Sequence, residues 1–330
     1  MTRVSPSQPT ITSVHPVRAV EGGRVTIRGT HFPADVLEVP VGDVPARVAF
    51  ASPTRFVLTI PPDIEGGRTA IRIPGIAGET PYIAIGARWA TGLHQVDNPV
   101  FDPDGSLFVT YSGARGQEAP VSIFRVTRGG TREPFASGIV NATSMAFGPD
   151  GRLYASSRFE GAVYRISEKG SHEQVASDLG VACGIAFDGD GVMYVGDRSG
   201  TIFKVTNGKA ESFATVPASV AAFHLALGAD HHLYVTGPTL NAYDYIYRID
   251  RAGALETLPI PLGRPQGLAF DPQGVLHVID ALAGSSGLYR IARFDRPPEL
   301  VVSGTALVGV AFSRQGELVV SSNETAYLFN

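Results

Sequence analysis

Three aspartates stand at the ends of short apolar runs that have the composition of strands. Asp197 and Asp280 each end such a run, and Asp97 precedes another. Carboxylate oxygens are the ligands that hard divalent cations prefer, and a bound cation can polarise a carbonyl and activate water. If these runs meet in space, their carboxylates offer oxygen ligands of the kind that such a cation takes.

A second group of residues near the same strand ends suits ligand recognition. Two connections, 112–120 and 238–245, are long, and long loops on a rigid scaffold commonly carry binding residues. The second connection contains two tyrosines and an acid, a composition typical of binding surfaces. The predicted ligand-binding residues are Tyr111, Arg158, His224, Tyr243, Asp244 and Gln266.

Other catalytic chemistries find less support in the sequence. Of eight histidines, only His224 and His94 fall near these strand ends, so a three-histidine zinc cage is not expected. The single cysteine, Cys183, excludes a disulfide framework and is expected to be a small buried side chain. No serine lies in a Gly-Xaa-Ser-Xaa-Gly motif, so the sequence does not support a serine hydrolase. No catalytic residue is predicted, and whether the protein is an enzyme stays open.

A sixfold repeat would position these residues. Each copy has an apolar run ending in an anchor residue, a turn that usually contains glycine, and a second apolar run, as in Met145-Ala-Phe-Gly-Pro-Asp-Gly-Arg-Leu-Tyr-Ala. A period near 40 residues with about four strands per copy is typical of β-propeller blades. In the fourth copy His231 replaces the turn glycine and is expected to adopt a positive φ. The anchors are expected to be buried in equivalent places of six blades, and they are Phe101, Phe147, Phe187, Leu227, Phe270 and Phe312.

The sixth copy ends one strand short, which would leave an open edge in the ring. Residues 86–92 precede the first copy and have no other assignment, so they are predicted to supply the outer strand of the last blade. Almost no linker separates them from the preceding segment. The N-terminal region is therefore expected to lean on the last and first blades, with Trp89 buried near that contact.

Residues 1–85 lack the repeat and show short alternating runs between turns, which predict a small β-sandwich. Glu21-Gly-Gly-Arg-Val-Thr-Ile-Arg-Gly-Thr-His-Phe, followed by Ile60-Pro-Pro, resembles an IPT/TIG immunoglobulin-like domain over residues 8–85. That resemblance implies a structural or interaction module. The predicted fold class is all-β, with a sandwich at 1–85 and a six-bladed propeller at 86–330.

The second region resembles NHL-repeat propellers and is similar to the six-bladed gluconolactonase and regucalcin-like family. The resemblance rests on strings such as Gly267-Leu-Ala-Phe-Asp and Leu276-His-Val-Ile-Asp. The family resemblance implies one divalent cation held by a Glu, two Asn and an Asp near the channel. This sequence has Gln266 in place of the asparagine of a Pro-Asn-Gly motif, and Asp97 is the nearest acid to the glutamate position. The resemblance therefore implies a divalent cation, calcium or zinc, near Asp97, Asp197 and Asp280, with the family's ligand set partly kept.

Two functions follow from these observations. The first is a module that binds a protein, a peptide, a carbohydrate or another small molecule at the channel-mouth face, and the alternative is a metal-dependent lactonase.

A net charge of −4 gives no indication of a broad basic face that would bind nucleic acid. The basic residue that recurs in five third strands is expected either to form salt bridges between blades or to lay its aliphatic stem along apolar surface with its charge in water. No apolar run predicts a membrane span, and the N-terminus has no signal-peptide core, so a cytoplasmic location is expected unless the sequence is a mature or truncated form.

Overall fold

The computed structural model describes residues 8–33, 35–73, 75–76, 79–281 and 284–329, and these contain strands, turns and loops but no helix. The predicted all-β class is confirmed. The N-terminal region has a five-stranded sheet in the order β1-β3-β6-β5-β4. These strands are β1 (Thr10–His15), β3 (Arg24–Thr30), β6 (Arg55–Thr59), β5 (Val44–Ser52) and β4 (Glu38–Val41), and three further strands face them: β2 (Arg18–Ala19), β7 (Gly67–Ala70) and β8 (Tyr82–Ile85).

The alternating residues of these strands meet in one apolar core. Every second residue of β3 is buried, as the sequence alternation predicted. Phe32 and Phe56 stack at the centre of the core with ring centroids 4.8 Å apart. The two layers are thereby held as a sandwich.

Each copy of the repeat forms one four-stranded antiparallel sheet, and we name these sheets blades 1 to 6. Blade 1 contains β10 (Val100–Phe101), β11 (Leu107–Thr110), β12 (Ile123–Val126) and β13 (Arg132–Ala136). Blade 2 contains β14 (Ala142–Phe147), β15 (Leu153–Ser157), β16 (Ala162–Ile166) and β17 (His172–Ala176). Blade 3 contains β18 (Ala182–Phe187), β19 (Met193–Asp197), β20 (Thr201–Thr206) and β21 (Lys209–Thr215).

The remaining copies follow the same order. Blade 4 contains β22 (His224–Leu227), β23 (Leu233–Thr236), β24 (Tyr247–Ile249) and β25 (Leu255–Thr257). Blade 5 contains β26 (Pro265–Phe270), β27 (Leu276–Asp280), β28 (Gly287–Ile291) and β29 (Glu299–Ser303). Blade 6 contains β30 (Leu307–Phe312), β31 (Leu318–Ser322) and β32 (Thr325–Phe329), and its fourth strand is β9 (Ala87–Thr91).

The ring closes in two ways. The first strand of each blade contacts the first strand of the next, and β10 contacts both β14 and β30. In blade 6, β9 pairs antiparallel with β32, and Ala326 lies opposite Ala90. The prediction that residues 86–92 supply the missing strand is therefore confirmed.

The six anchors occupy equivalent places. Each pairs with the residue that starts the next strand, as Phe147 does with Leu153 and Leu227 with Leu233. The anchors were expected to be buried, but all six are half-buried, because they lie at the open end of each inter-blade layer. His231 has a φ of 62°, as its place in the turn predicted.

The contact between the two regions differs from the prediction. Strand β2 pairs in parallel with β29, so one seven-stranded sheet runs β26-β27-β28-β29-β2-β8-β7 through blade 5 into the sandwich. Val20 is buried in a cluster with residues of blades 5 and 6. The sandwich therefore leans on blades 5 and 6, because β29 offers a free strand edge there.

Trp89 also lies elsewhere than expected. It is half-buried, and its ring lies 5.9 Å from that of Phe101 in blade 1. Trp89 thus packs the seam between blades 6 and 1, because its strand is the outer strand of blade 6. Only Gly86 separates β8 from β9, and a Cβ there would approach Phe329 to 2.8 Å.

The recurring basic residues of the third strands pair within their own blades. Arg125 lies 3.5 Å from Asp102, and Arg248 lies 2.6 Å from Glu256. Asp102 lies in the turn after the first strand of blade 1 and Glu256 lies in the fourth strand of blade 4, so the predicted salt bridges between blades are wrong. Hydroxyl groups make some of the contacts between blades instead: Ser156 Oγ donates to the Cys183 carbonyl at 2.7 Å.

Candidate functional site

A buried hydrogen bond crosses the ring between opposite blades. Asp97 immediately precedes blade 1, and His224 begins the first strand of blade 4. His224 Nδ1 lies 2.5 Å from Asp97 Oδ1, and the Asn98 backbone N–H donates to the same oxygen at 2.7 Å. Both side chains are almost fully inaccessible. Because blades 1 and 4 face each other in a ring of six, this pair crosses the central channel and obstructs it where the two side chains meet.

The other ring nitrogen of His224 is free within the part of the chain that the structure describes. His224 Nε2 is buried and has no hydrogen-bond partner there. Cys183 lies close to Asp97, and burial raises the pKa of its thiol to about 11. The thiol donates to the Val181 carbonyl at 3.2 Å. Cys183 is therefore a protonated, buried side chain, and it does not supply a thiolate nucleophile.

The other two predicted metal ligands hold loops. Asp197 accepts hydrogen bonds from the Val181 N–H at 2.8 Å and from the Ser199 hydroxyl. Asp280 accepts hydrogen bonds from two successive backbone N–H groups, those of Gly263 at 2.9 Å and Arg264 at 2.7 Å. Such bonds satisfy a carboxylate without a cation.

The predicted metal site is not assembled. Over the described ranges, no three His, Cys, Asp or Glu side chains are arranged to hold a metal ion. Asp97, Asp197 and Asp280 each have separate partners, and Gln266 offers only an amide. The residues present do not fit the cation that the gluconolactonase-like resemblance implied, and we derive no reaction step through it.

The predicted recognition residues are divided between loops and the mouth. Asp244 is buried and accepts hydrogen bonds from the Thr239 N–H and hydroxyl, so it stabilises its own loop. Tyr243 is 60% exposed. Tyr111 is half-buried and meets His94 edge-on at 5.9 Å between ring centroids. The Gln266 carbonyl accepts a hydrogen bond from Thr236, and its side chain is half-buried.

Arg158 belongs to a group of basic residues that we name the mouth cluster: His94, Arg115, Arg158 and Arg198. Arg158 is half-buried, and its pKa is lowered by burial and further by the charges of Arg198 and Arg115. The pKa of His94 is lowered by burial and by Arg158. Within the described ranges, none of the three guanidinium groups forms an ion pair with a carboxylate.

Asn141 positions part of this cluster. Its buried amide donates to the carbonyls of Ser112 and Ala114, at 2.5 and 2.9 Å, and accepts from the Gly116 N–H at 2.7 Å. The long loop that carries Arg115 is thereby fixed against blade 2. Sequence analysis named Arg158 but missed Arg198, although both follow the second strand of their blades at the same repeat position. Arg115 carried no such signal.

The comparisons support both halves of the architecture. Residues 9–75 match the model of the IPT/TIG domain family. An auxiliary nutrient binding protein from Bacteroides ovatus is 13% identical with a TM-score of 0.56, and 99% of each chain is covered. A putative gluconolactonase is 16% identical with a TM-score of 0.58, covering 74% of this chain and 91% of that one.

A third similar structure is the catalytically inactive virginiamycin B lyase from Staphylococcus aureus, 14% identical with a TM-score of 0.54, covering 100% of this chain and 97% of that one. A search of curated proteins finds no match. In the described ranges no helix is long and apolar enough to cross a membrane. At these identities the likeness shows the fold alone, so the chain joins a segment similar to IPT/TIG domains to a propeller-like fold that nutrient-binding proteins, lactonases and lyases share.

Proposed function

We propose that this protein is a binding module whose propeller recognises a small anionic ligand at the channel mouth. The observation that carries the proposal is the mouth cluster, in which the charges of Arg115 and Arg198 lower the pKa of the half-buried Arg158, and no described carboxylate lies within 4 Å of the three guanidinium groups. Like charges raise each other's energy, and partial burial of Arg158 adds a desolvation cost. A ligand that carries a carboxylate or a phosphate would relieve both costs, because arginine binds such groups through two parallel hydrogen bonds.

Neighbouring groups supply the rest of such a site. Tyr111 and His94 present aromatic surface beside Arg158. The exposed Tyr243 and the half-buried Gln266 offer further polar contacts from blades 4 and 5. The Asp97–His224 pair obstructs the channel, so a ligand would rest on the mouth face. The IPT/TIG-like segment acts as an accessory domain.

The alternative is a metal-dependent lactonase of the gluconolactonase-like type. It is supported by structural likeness to a putative gluconolactonase and by the presence of Asp97 near the axis. The hydrogen bonds of Asp97, Asp197 and Asp280 favour the binding module instead. We also propose that the two regions divide at residues 1–85 and 86–330, as the sequence predicted, and that the propeller is of the NHL type.

Calorimetric titration of the full chain tests the proposal. We expect gluconate or citrate to bind and neutral glucose not to bind. Arg158→Gln should weaken that binding about 10- to 100-fold, the usual worth of a hydrogen bond to a charged group. The matched control is Arg152→Gln, since Arg152 lies in a blade turn and pairs with Glu168. Equal affinities in both variants, or lactone hydrolysis that a chelator abolishes, would overturn the binding module.

A further inference from the structure

A cleft lies between the sandwich and blade 5, away from the channel mouth. Its volume is about 560 Å³, within the range usual for small-molecule sites. Strand pairing between β2 and β29 fixes its two walls, and the Arg24 backbone N–H donates to Ser303 Oγ at 2.6 Å. The cleft is therefore preformed. The residues that matter for recognition are His15, Arg24, Phe50 and Arg55 on one wall and Tyr289 and Glu299 on the other.

The sandwich wall of this cleft carries unneutralised positive charge. Arg55 lies directly opposite Arg28 across the β3–β6 pair, and Arg24 is further along the same strand as Arg28. Like charges opposite each other destabilise a sheet. Within the described ranges none of these three arginines has a carboxylate within 4 Å. An arrangement that costs energy in the free protein gains stability when an anion binds.

The opposite wall does not cancel this charge. Its acid, Glu299, lies 3.8 Å from Arg290 of the same blade, so a cation already faces it. His15 is exposed and adds hydrogen-bonding nitrogens beside the arginines. The electrostatic character of the cleft is set by Arg24 and Arg55.

Two aromatic rings complete the site. Phe50 is 43% exposed, although large apolar side chains are usually covered, and the Arg55 guanidinium lies 4.3 Å from the centroid of its ring. The Tyr289 hydroxyl donates to the Ser285 carbonyl at 2.5 Å, which fixes the orientation of that ring in the other wall. Aromatic faces with adjacent cations suit a ligand that has an apolar ring face and a negative group.

We propose that this cleft binds an anionic sugar. The saccharide ring would lie against Phe50 and Tyr289, and its carboxylate or phosphate would bind Arg24 and Arg55. A uronic acid and a sugar phosphate share this chemistry. The site is separate from the mouth cluster and gives the sandwich a recognition role of its own.

Titration calorimetry on the full chain tests this site with glucuronate, glucose 6-phosphate, neutral glucose and inorganic phosphate. We expect glucuronate or glucose 6-phosphate to bind at least ten-fold more tightly than glucose and phosphate. The titrations are made in the Arg158→Gln background, which weakens the anion binding proposed for the mouth cluster, and binding in the cleft should persist there. It should fall ten-fold or more in Arg55→Gln and in Arg24→Gln. The control is Arg72→Gln, because Arg72 pairs with Asp43.

Three outcomes would overturn the proposal. Binding that Arg158→Gln abolishes and Arg55→Gln leaves intact would place the sugar at the mouth. Phosphate that binds as tightly as glucose 6-phosphate would show that the aromatic rings contribute nothing. No binding of either anionic sugar would leave the cleft without this function. An unchanged melting temperature in Arg55→Gln and Arg24→Gln would show that lost binding reports the ligand contacts, and Phe50→Leu, expected to weaken binding by several-fold, tests the ring separately.

Discussion

The propeller axis and the domain junction both join distant parts of the chain, but they do so with different chemistry. At the axis, a carboxylate and an imidazole 127 residues apart meet in a buried hydrogen bond. At the junction, backbone pairing of β2 with β29 and the apolar side chain of Val20 provide the contact. The hydrogen bond at the axis fixes the relative positions of blades 1 and 4, because its donor and acceptor must be aligned. An apolar contact tolerates small shifts of the side chains, and its stabilising free energy increases with the apolar area that it buries.

The largest expected effect comes from breaking the axial pair. Asp97→Ala would leave His224 without its hydrogen-bond partner and would also free the Asn98 N–H, and removal of a buried acceptor from two hydrogen bonds should cost about 3 kcal/mol. Urea unfolding measures this loss. The control is Asp197→Ala, which removes a carboxylate from the corresponding mouth of blade 3 but only releases a loop, and should cost about 1 kcal/mol. Equal losses of unfolding free energy in the two variants would mean that the hydrogen bond across the ring stabilises the protein no more than the loop contacts of Asp197 do.

A smaller effect is expected at the junction. Val20→Ala removes two methyl groups from the cluster between the sandwich and blades 5 and 6, and should cost about 2 kcal/mol from lost burial and the cavity left behind. Differential scanning calorimetry measures the change. Val17→Ala is the matched control, since Val17 is 56% exposed. If both valines proved equally dispensable, the sheet pairing alone would hold the two regions together.

The smallest effect concerns pH. His277 is buried in blade 5, and burial lowers its pKa. Above the unfolded pKa of about 6.5 the residue is neutral in both states. As the pH falls below that value, the unfolded chain binds a proton before the folded chain does, so stability declines until the lowered folded pKa is reached.

His277→Tyr should reduce this acid sensitivity. Tyr154, Tyr194 and Tyr234 hold the same place in blades 2 to 4, so the substitution fits the repeat. Urea midpoints at pH 7.5 and 5.5 measure the difference, which cannot exceed about 1.4 kcal/mol because pH 5.5 lies one unit below the unfolded pKa. A variant that loses as much stability as the parent would show that other groups govern the acid response.

Much of the fold was predictable because the repeat constrains it locally. The anchors, the turn at His231 and the closing strand all follow from spacing and from the need to cover a sheet edge. The docking on blade 5 was not predictable, because β2 contains only Arg18 and Ala19 and carries no readable alternation. The choice of an edge by so short a strand depends on tertiary packing.

The candidate site was harder to predict than the fold. Sequence placed Asp97 and His224 near the mouth, but their pairing depends on how far each side chain reaches across the axis, which spacing does not give. Asp197 and Asp280 were proposed as metal ligands, whereas their backbone partners belong to loops whose course no pattern fixed. Arg115 joins Arg158 only because Asn141 holds its loop, a contact between blades 1 and 2 that spacing does not reveal.

The seven-stranded sheet has a consequence for how the chain matures on the ribosome. Strands β2 and β9 are made early, yet their partners β29 and β32 stand near the C-terminus. Chain synthesis proceeds from the N-terminus, and contacts between distant residues carry the cost of closing a long loop. Strand β2 must therefore wait with one edge unpaired, and β9 must wait without its partner strand, until blades 5 and 6 have emerged. Docking of the sandwich on blade 5 and closure of the ring thus become late, nearly simultaneous events in biogenesis.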